Sequence, residues 1–69
     1  MDMIYTIRSM YNTLPKSEKK VADFIMKNPK KVLTLSVFEL AKLCDVSAPS
    51  VSRFVKRTFN MTFHEAKVG

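Results

Sequence analysis

The sequence predicts an all-α fold, a small bundle of four to five short helices. Apolar residues recur three and four positions apart in several short stretches, and none of them alternates as a half-buried strand would. One glycine and three prolines in 69 residues leave few tight turns, which suits helices joined by short links. A chain of this length makes a single domain, residues 1–69, and its 46% hydrophobic content is that of a globular core.

Asp2 stands where it can cap a first helix. Met3 or Ile4, Ile7, Met10 or Tyr11, and Leu14 follow at helical spacing until Leu14-Pro15 breaks the pattern. A second helix is expected over Lys16 to Lys27, with Val21, Ala22 and Ile25 inward. Lys16, Lys19, Lys20, Asp23 and Lys27 lie largely on the opposite face. Asn28-Pro29 ends it, because proline restricts the residue before it and donates no amide. Val32, Leu33 and Leu35 then anchor a short turn of helix or a connector.

Ser36 and Glu39 have the spacing of a capping box. The helix it starts has an inner face of Val37, Leu40, Ala41 and Cys44. Asp45-Val46-Ser47 forms a turn. Ser47 is a good N-cap, and Pro49 falls in the first turn of the next helix, where its missing amide costs little. That helix runs over about 48–58 with Val51, Phe54 and Val55 inward. Thr62 and Glu65 make a further capping box. The helix they start has room for about two turns before Gly69, so the chain is expected to be a piece of a longer protein.

The pair around 36–58 meets the demands of a helix-turn-helix. Ala41 is small enough to let the second helix pack close. Val46 plugs the turn into the core. Val51, Phe54 and Val55 hold the second helix down, and its outer residues Ser47, Ala48, Pro49, Ser50, Ser52, Arg53, Lys56 and Arg57 are small or donor-rich. No acidic residue occurs between Val46 and His64. This places the fold in the winged-helix or homeodomain-like DNA-binding class, with double-stranded DNA as the partner. A recognition helix sets its N-terminal residues nearest the base edges of the major groove. Arg53 is the candidate for bonding guanine O6 and N7 together. Lys56 and Arg57 are expected on phosphates, which position without reading. The free amides at the start of the helix from Ser36 offer a further phosphate seat. Asp45 occupies the turn position where glycine is commonest, and Asp tolerates the left-handed backbone needed there.

The net charge is +6, from 12 basic and 6 acidic residues, which suits an anionic partner: nucleic acid, a membrane surface or an acidic protein. The apolar runs are too short to span a membrane, and the first residues lack the pattern of a secretory signal. A lone cysteine fits a reducing cytoplasm. Cys44 and His64 are too few for a closed zinc site. Paired carboxylates, a nucleophile with its base and a Gly-rich phosphate loop are all missing, so no enzyme and no cofactor are expected. Cys44 reads as a small core hydrophobe and His64 as a surface residue. The lysines of the second helix and Lys30-Lys31 fit a phosphate contact or a solvated face. Phe38, Leu43 and one of Tyr5 and Tyr11 fall off the inner faces of their helices. They fit a homodimer contact or a side covered by a further domain.

The segment LPKSEKKVADFIMKNPKKVLTLSVFELAKLCDVSAPSVSRFVKR resembles the N-terminal domain of the RpiR family of bacterial transcription regulators. The likeness covers about residues 14–67. Its marks are Leu14 with Ser17-Glu18-Lys19, Ala22-Asp23-Phe24-Ile25, Asn28-Pro29, Leu35-Ser36, Glu39-Leu40-Ala41, Val46-Ser47, Ser50-Val51 and Arg53-Phe54. The resemblance implies a cytoplasmic, dimeric regulator that carries this domain in front of a sugar-isomerase-type domain sensing a phosphosugar effector. Two departures stand out. Asp45 replaces a usual glycine, and Thr58-Phe59-Asn60 replaces a usual Leu-Gly-Phe. Asn60 is expected to take over the left-handed helix cap. A second reading of the residues is a helical interaction module whose basic face meets an acidic protein.

Truncating Val51 or Phe54 to Ala should cost about 2–5 kcal/mol each and unfold the domain. Urea denaturation checks this; a loss well under 1 kcal/mol would remove those side chains from the core.

Overall fold

The computed structural model describes residues 3–68; Asp2 and its capping role lie outside the described residues. Six α-helices follow one another: α1 (Met3–Met10), α2 (Lys16–Lys27), α3 (Pro29–Val32), α4 (Val37–Cys44), α5 (Ala48–Phe59) and α6 (Phe63–Val68), with a 3-10 turn over Tyr11–Thr13. No strand occurs among the described residues. The all-α expectation is met, with more pieces than the four to five expected. The segment after Asn28 closes into the four-residue α3, because Pro29 is preorganised for the first turn of a helix. The apolar spacing through Leu14 outlasts α1 itself: the backbone tightens into the 3-10 turn, and Leu14 donates its amide to the Tyr11 carbonyl at 3.1 Å.

The core forms where the apolar stripes converge. Ile7 of α1, Val21, Ala22 and Ile25 of α2, Leu40, Ala41 and Cys44 of α4, and Val51, Phe54 and Val55 of α5 are all buried, with Leu14 and Val32 closing the sides. Helix α5 packs against α1, α2, α4 and α6 and is the hub of the bundle. Phe54 lies at its centre, fully buried, and meets the Phe59 ring edge-on at 6.3 Å. Burial pushes the Cys44 thiol pKa upward, as for a cysteine used as a small hydrophobe. Leu33 departs from expectation. It is 53% exposed, while Val32 before it is buried and Leu35 after it packs against the core.

Caps set where the helices start and stop. The Ser36 hydroxyl accepts from the Glu39 amide at 3.1 Å while the Glu39 carboxylate accepts from the Ser36 amide at 2.8 Å. Thr62 and Glu65 repeat the arrangement at 3.2 and 2.8 Å. The amide bond from Thr62 holds the Glu65 carboxyl below its ordinary pKa. Helix α6 is pinned back by Lys67, whose ammonium donates to the Leu35 carbonyl at 2.7 Å.

One buried group is unsatisfied. The Thr58 hydroxyl, on the inner side of α5, has no hydrogen-bond partner among the described residues. Removing such a group avoids its desolvation cost. Thr58→Val should therefore stabilise the domain by about 1 kcal/mol in urea denaturation. A destabilisation of similar size would mean that the hydroxyl is paired in solution.

Candidate nucleic-acid interface

The helix pair α4–α5 takes its geometry from the turn between them. Asp45 has φ 58° and ψ 47°, in the left-handed region. That conformation reverses the chain so that the Asp45 amide reaches the Lys42 carbonyl at 3.2 Å and the Val46 amide the Ala41 carbonyl at 3.0 Å. The two bonds form a Schellman motif and satisfy carbonyls that the helix end leaves open. Val46 is thereby turned inward against the core, and Ala41 is buried in that core at 4% exposure. The Lys20 ammonium of α2 lies 3.9 Å from the Asp45 carboxylate, across an exposed gap.

Helix α5 begins at Ser47, whose hydroxyl accepts from the Ser50 amide at 3.3 Å, with Pro49 in the first turn. It ends at Asn60, whose φ of 56° supplies the left-handed cap and whose amide donates to the Lys56 carbonyl at 2.9 Å. The start and end read from sequence thus agree with the structure to within a residue. Ser47, Pro49, Ser52, Arg53, Lys56 and Arg57 are exposed, Ala48 is half-buried, and Ser36 is exposed at the head of α4.

Ser50 is a correction. It was expected on the outer face, yet it is only 4% exposed. Its hydroxyl lies 2.9 Å from that of Ser47 and accepts from Arg53 Nη2 at 3.2 Å. A chain of polar contacts, Ser47 to Ser50 to Arg53, therefore holds the arginine guanidinium near the N-terminal half of α5. Arg57 also differs from a simple outer-face cation. Its Nε donates to Glu18 Oε1 at 2.9 Å, and Glu18, on α2, is 2% exposed. Sequence reasoning overlooked Glu18 as a functional neighbour. The signal was available: Glu18 precedes Val21, Ala22 and Ile25 by three, four and seven positions, on their inward stripe.

At Ser36, hydroxyl and amide are both committed to Glu39. Helix geometry leaves the Val37 and Phe38 amides without intrahelical partners, with the Glu39 carboxylate beside them. Among the described residues no group of three His, Cys, Asp or Glu side chains is placed to hold a metal, and no helix is long and apolar enough to cross a membrane.

The family model described as the helix-turn-helix domain of the rpiR family matches residues 1–68. The chain belongs to this family. It is 40% identical over 67 residues to an uncharacterized HTH-type transcriptional regulator of Caldanaerobacter subterraneus, a match covering 97% of this chain and 24% of that protein. The HTH-type transcriptional regulator HexR of Pseudomonas aeruginosa is 37% identical over 68 residues, 97% of this chain and 24% of HexR. An uncharacterized HTH-type transcriptional regulator of Thermotoga maritima is 35% identical over 69 residues, 99% of this chain and 25% of that protein. The RpiR-type domain thus spans about a quarter of the length of the curated relatives it matches.

The left-handed turn of this RpiR-type domain gives a direct test. Asp45→Gly removes the Cβ that opposes positive φ, whereas Asp45→Ala keeps it and loses the polar side chain that eases that conformation. Ala should cost about 1 kcal/mol and Gly no more than a few tenths. Equal losses in thermal melts would mean that the Lys20 contact, not the backbone, decides the residue.

Proposed function

We propose that the domain is the sequence-specific DNA-binding part of a bacterial transcription regulator, with α5 in the major groove. The single observation that carries this is the two-sided character of α5. Its inner face is locked in the core, and its outer face is acid-free, small at the N-terminal end and cationic beyond it. Ser47, Ala48, Pro49 and Ser52 let the backbone approach the base edges. Arg53, held by the Ser50 hydroxyl, is the base-reading residue. Lys56 is a phosphate contact, and the Val37 and Phe38 amides, at the head of the helix that Ser36 caps, are a second phosphate seat.

The larger setting is part of the same proposal. The relatives named above are transcriptional regulators about four times as long as this chain. A C-terminal sugar-isomerase-type domain that binds a phosphosugar effector supplies the remainder, and regulation of sugar or phosphosugar metabolism is the output. The whole regulator works in the cytoplasm as a homodimer on two half-sites roughly 34–36 Å apart. Support for a protein contact is the exposure of Phe38 (72%) and Leu43 (51%) on the flanks of α4. The second reading is a helical interaction module whose basic face, with the net charge of +6 behind it, meets an acidic protein.

A salt titration separates the two readings. The domain should bind random duplex weakly, with affinity falling steeply as salt rises, because bound cations release counterions from the phosphates. Arg53→Ala should relax preference at one base position and cost about 1–3 kcal/mol on a selected site. Lys56→Ala should weaken selected and random duplex alike. Affinity indifferent to salt would sink the DNA reading. Equal effects of Arg53→Ala on both duplexes would reduce Arg53 to a phosphate contact.

A further inference from the structure

We infer that Arg57 is a positioning residue and not a phosphate contact: through buried Glu18 it fixes the tilt of α5, and so the register in which Arg53 meets a base pair. This rests on the DNA-binding reading above. The bond joins residues 39 positions apart, from the first turn of α2 to the last turn of α5. The N-terminal end of α5 is already tied to α4 by the short turn at Asp45. Glu18 ties the other end to α2. The same α2 reaches the turn itself through Lys20 and Asp45, so one helix touches the reading unit at both ends.

Two physical points separate Arg57 from its neighbour Lys56. Burial of Val51, Phe54 and Val55 sets how deep α5 sits, but apolar attraction is non-directional and leaves its roll and tilt loosely defined. A charge-assisted hydrogen bond is short and directional, and this one ends on a carboxylate that is 2% exposed. A phosphate that drew Arg57 away would strand that carboxylate in the core with no counter-charge. Arg57 therefore keeps its bond when DNA arrives. The pair as a whole is neutral, so it adds nothing to the cationic charge that displaces counterions. Lys56 is exposed on the outer face and does add to it.

The test uses the 69-residue chain and two probes: a duplex selected by that chain from a random-sequence pool, and a scrambled duplex of equal length. Affinity for both is measured across a range of salt for the unmodified chain, Lys56→Gln, Arg57→Gln and the double variant Glu18→Leu with Arg57→Met. Circular dichroism and urea denaturation report the fold. Lys56→Gln should lower the log–log salt slope by about 1 on both duplexes and leave discrimination between them unchanged. Arg57→Gln should leave the slope on scrambled duplex unchanged and cut discrimination about tenfold, the scale of one lost base contact. Replacing a buried ion pair by apolar side chains commonly restores stability. The double variant should accordingly recover its urea midpoint while discrimination stays low, and it carries the test if Arg57→Gln unfolds. A slope that drops by about 1 in Arg57→Gln would make Arg57 a phosphate contact and overturn the proposal. Discrimination that recovers with stability in the double variant would overturn it too, by making the pair purely structural. Failure of the unmodified chain to bind either duplex in a salt-dependent way removes the DNA reading and this inference together.

Discussion

Everything in this domain depends on α5 having two faces with opposite demands. Val51, Phe54 and Val55 are withdrawn from water on one side, each contributing about 1.5–3 kcal/mol relative to exposure. Ser52, Arg53 and Lys56 stand in water on the other. Because α1, α2, α4 and α6 all close on this one helix, its outer face cannot rise or sink without disturbing the core. The depth at which that face stands is thus a by-product of how a small chain hides its largest apolar stripe.

The acidic residues show how positive potential is kept on the reading side. Glu39 and Glu65 serve as reciprocal helix caps. Glu18 is held under Arg57, and Asp45 faces Lys20 beside the turn. Asp23 lies by Tyr11, accepts its hydrogen bond and pushes the phenol pKa upward. Each described carboxylate thus has a structural task, and none stands among the exposed side chains of α5. The net charge of +6 is therefore distributed unevenly, with no acidic residue from Val46 to His64 and with the Glu65 carboxylate within electrostatic reach of Lys56 at the far end of α5. Such a stretch attracts a polyanion before any base is read.

Much of this was legible in the sequence because it is local. A capping box is a spacing of two polar residues, and an inner helix face is a spacing of apolar ones, so Ser36, Thr62 and the stripes of α2, α4 and α5 could be placed directly. The left-handed caps at Asp45 and Asn60 were readable because Asp and Asn tolerate positive φ where the family likeness has glycine nearby, whereas Asn28 ends α2 at φ −135°. What escaped depends on partners far along the chain. In the sequence Glu18 has no role beyond a mark of the family likeness, because the Arg57 that makes its burial tolerable lies 39 residues away. Ser50 has the chemistry of a surface donor, and only the roll of α5 turns it inward. Leu33 has the chemistry of a core residue, yet only its neighbours Val32 and Leu35 find a place in the core. Residue type fixes what a side chain can do; tertiary packing decides which of its options is realised.

The two left-handed caps have a consequence for the unfolded chain. The only glycine in the sequence is Gly69, so every turn within residues 3–68 is made without one. Asp45 and Asn60 tolerate a backbone that glycine would enter with less strain. In return, the denatured ensemble has fewer conformations to lose, because a residue with a Cβ samples less of φ/ψ space than glycine. Part of the marginal stability of so short a domain is therefore held in the state that no folded structure displays, as a restriction on disorder and not as a contact.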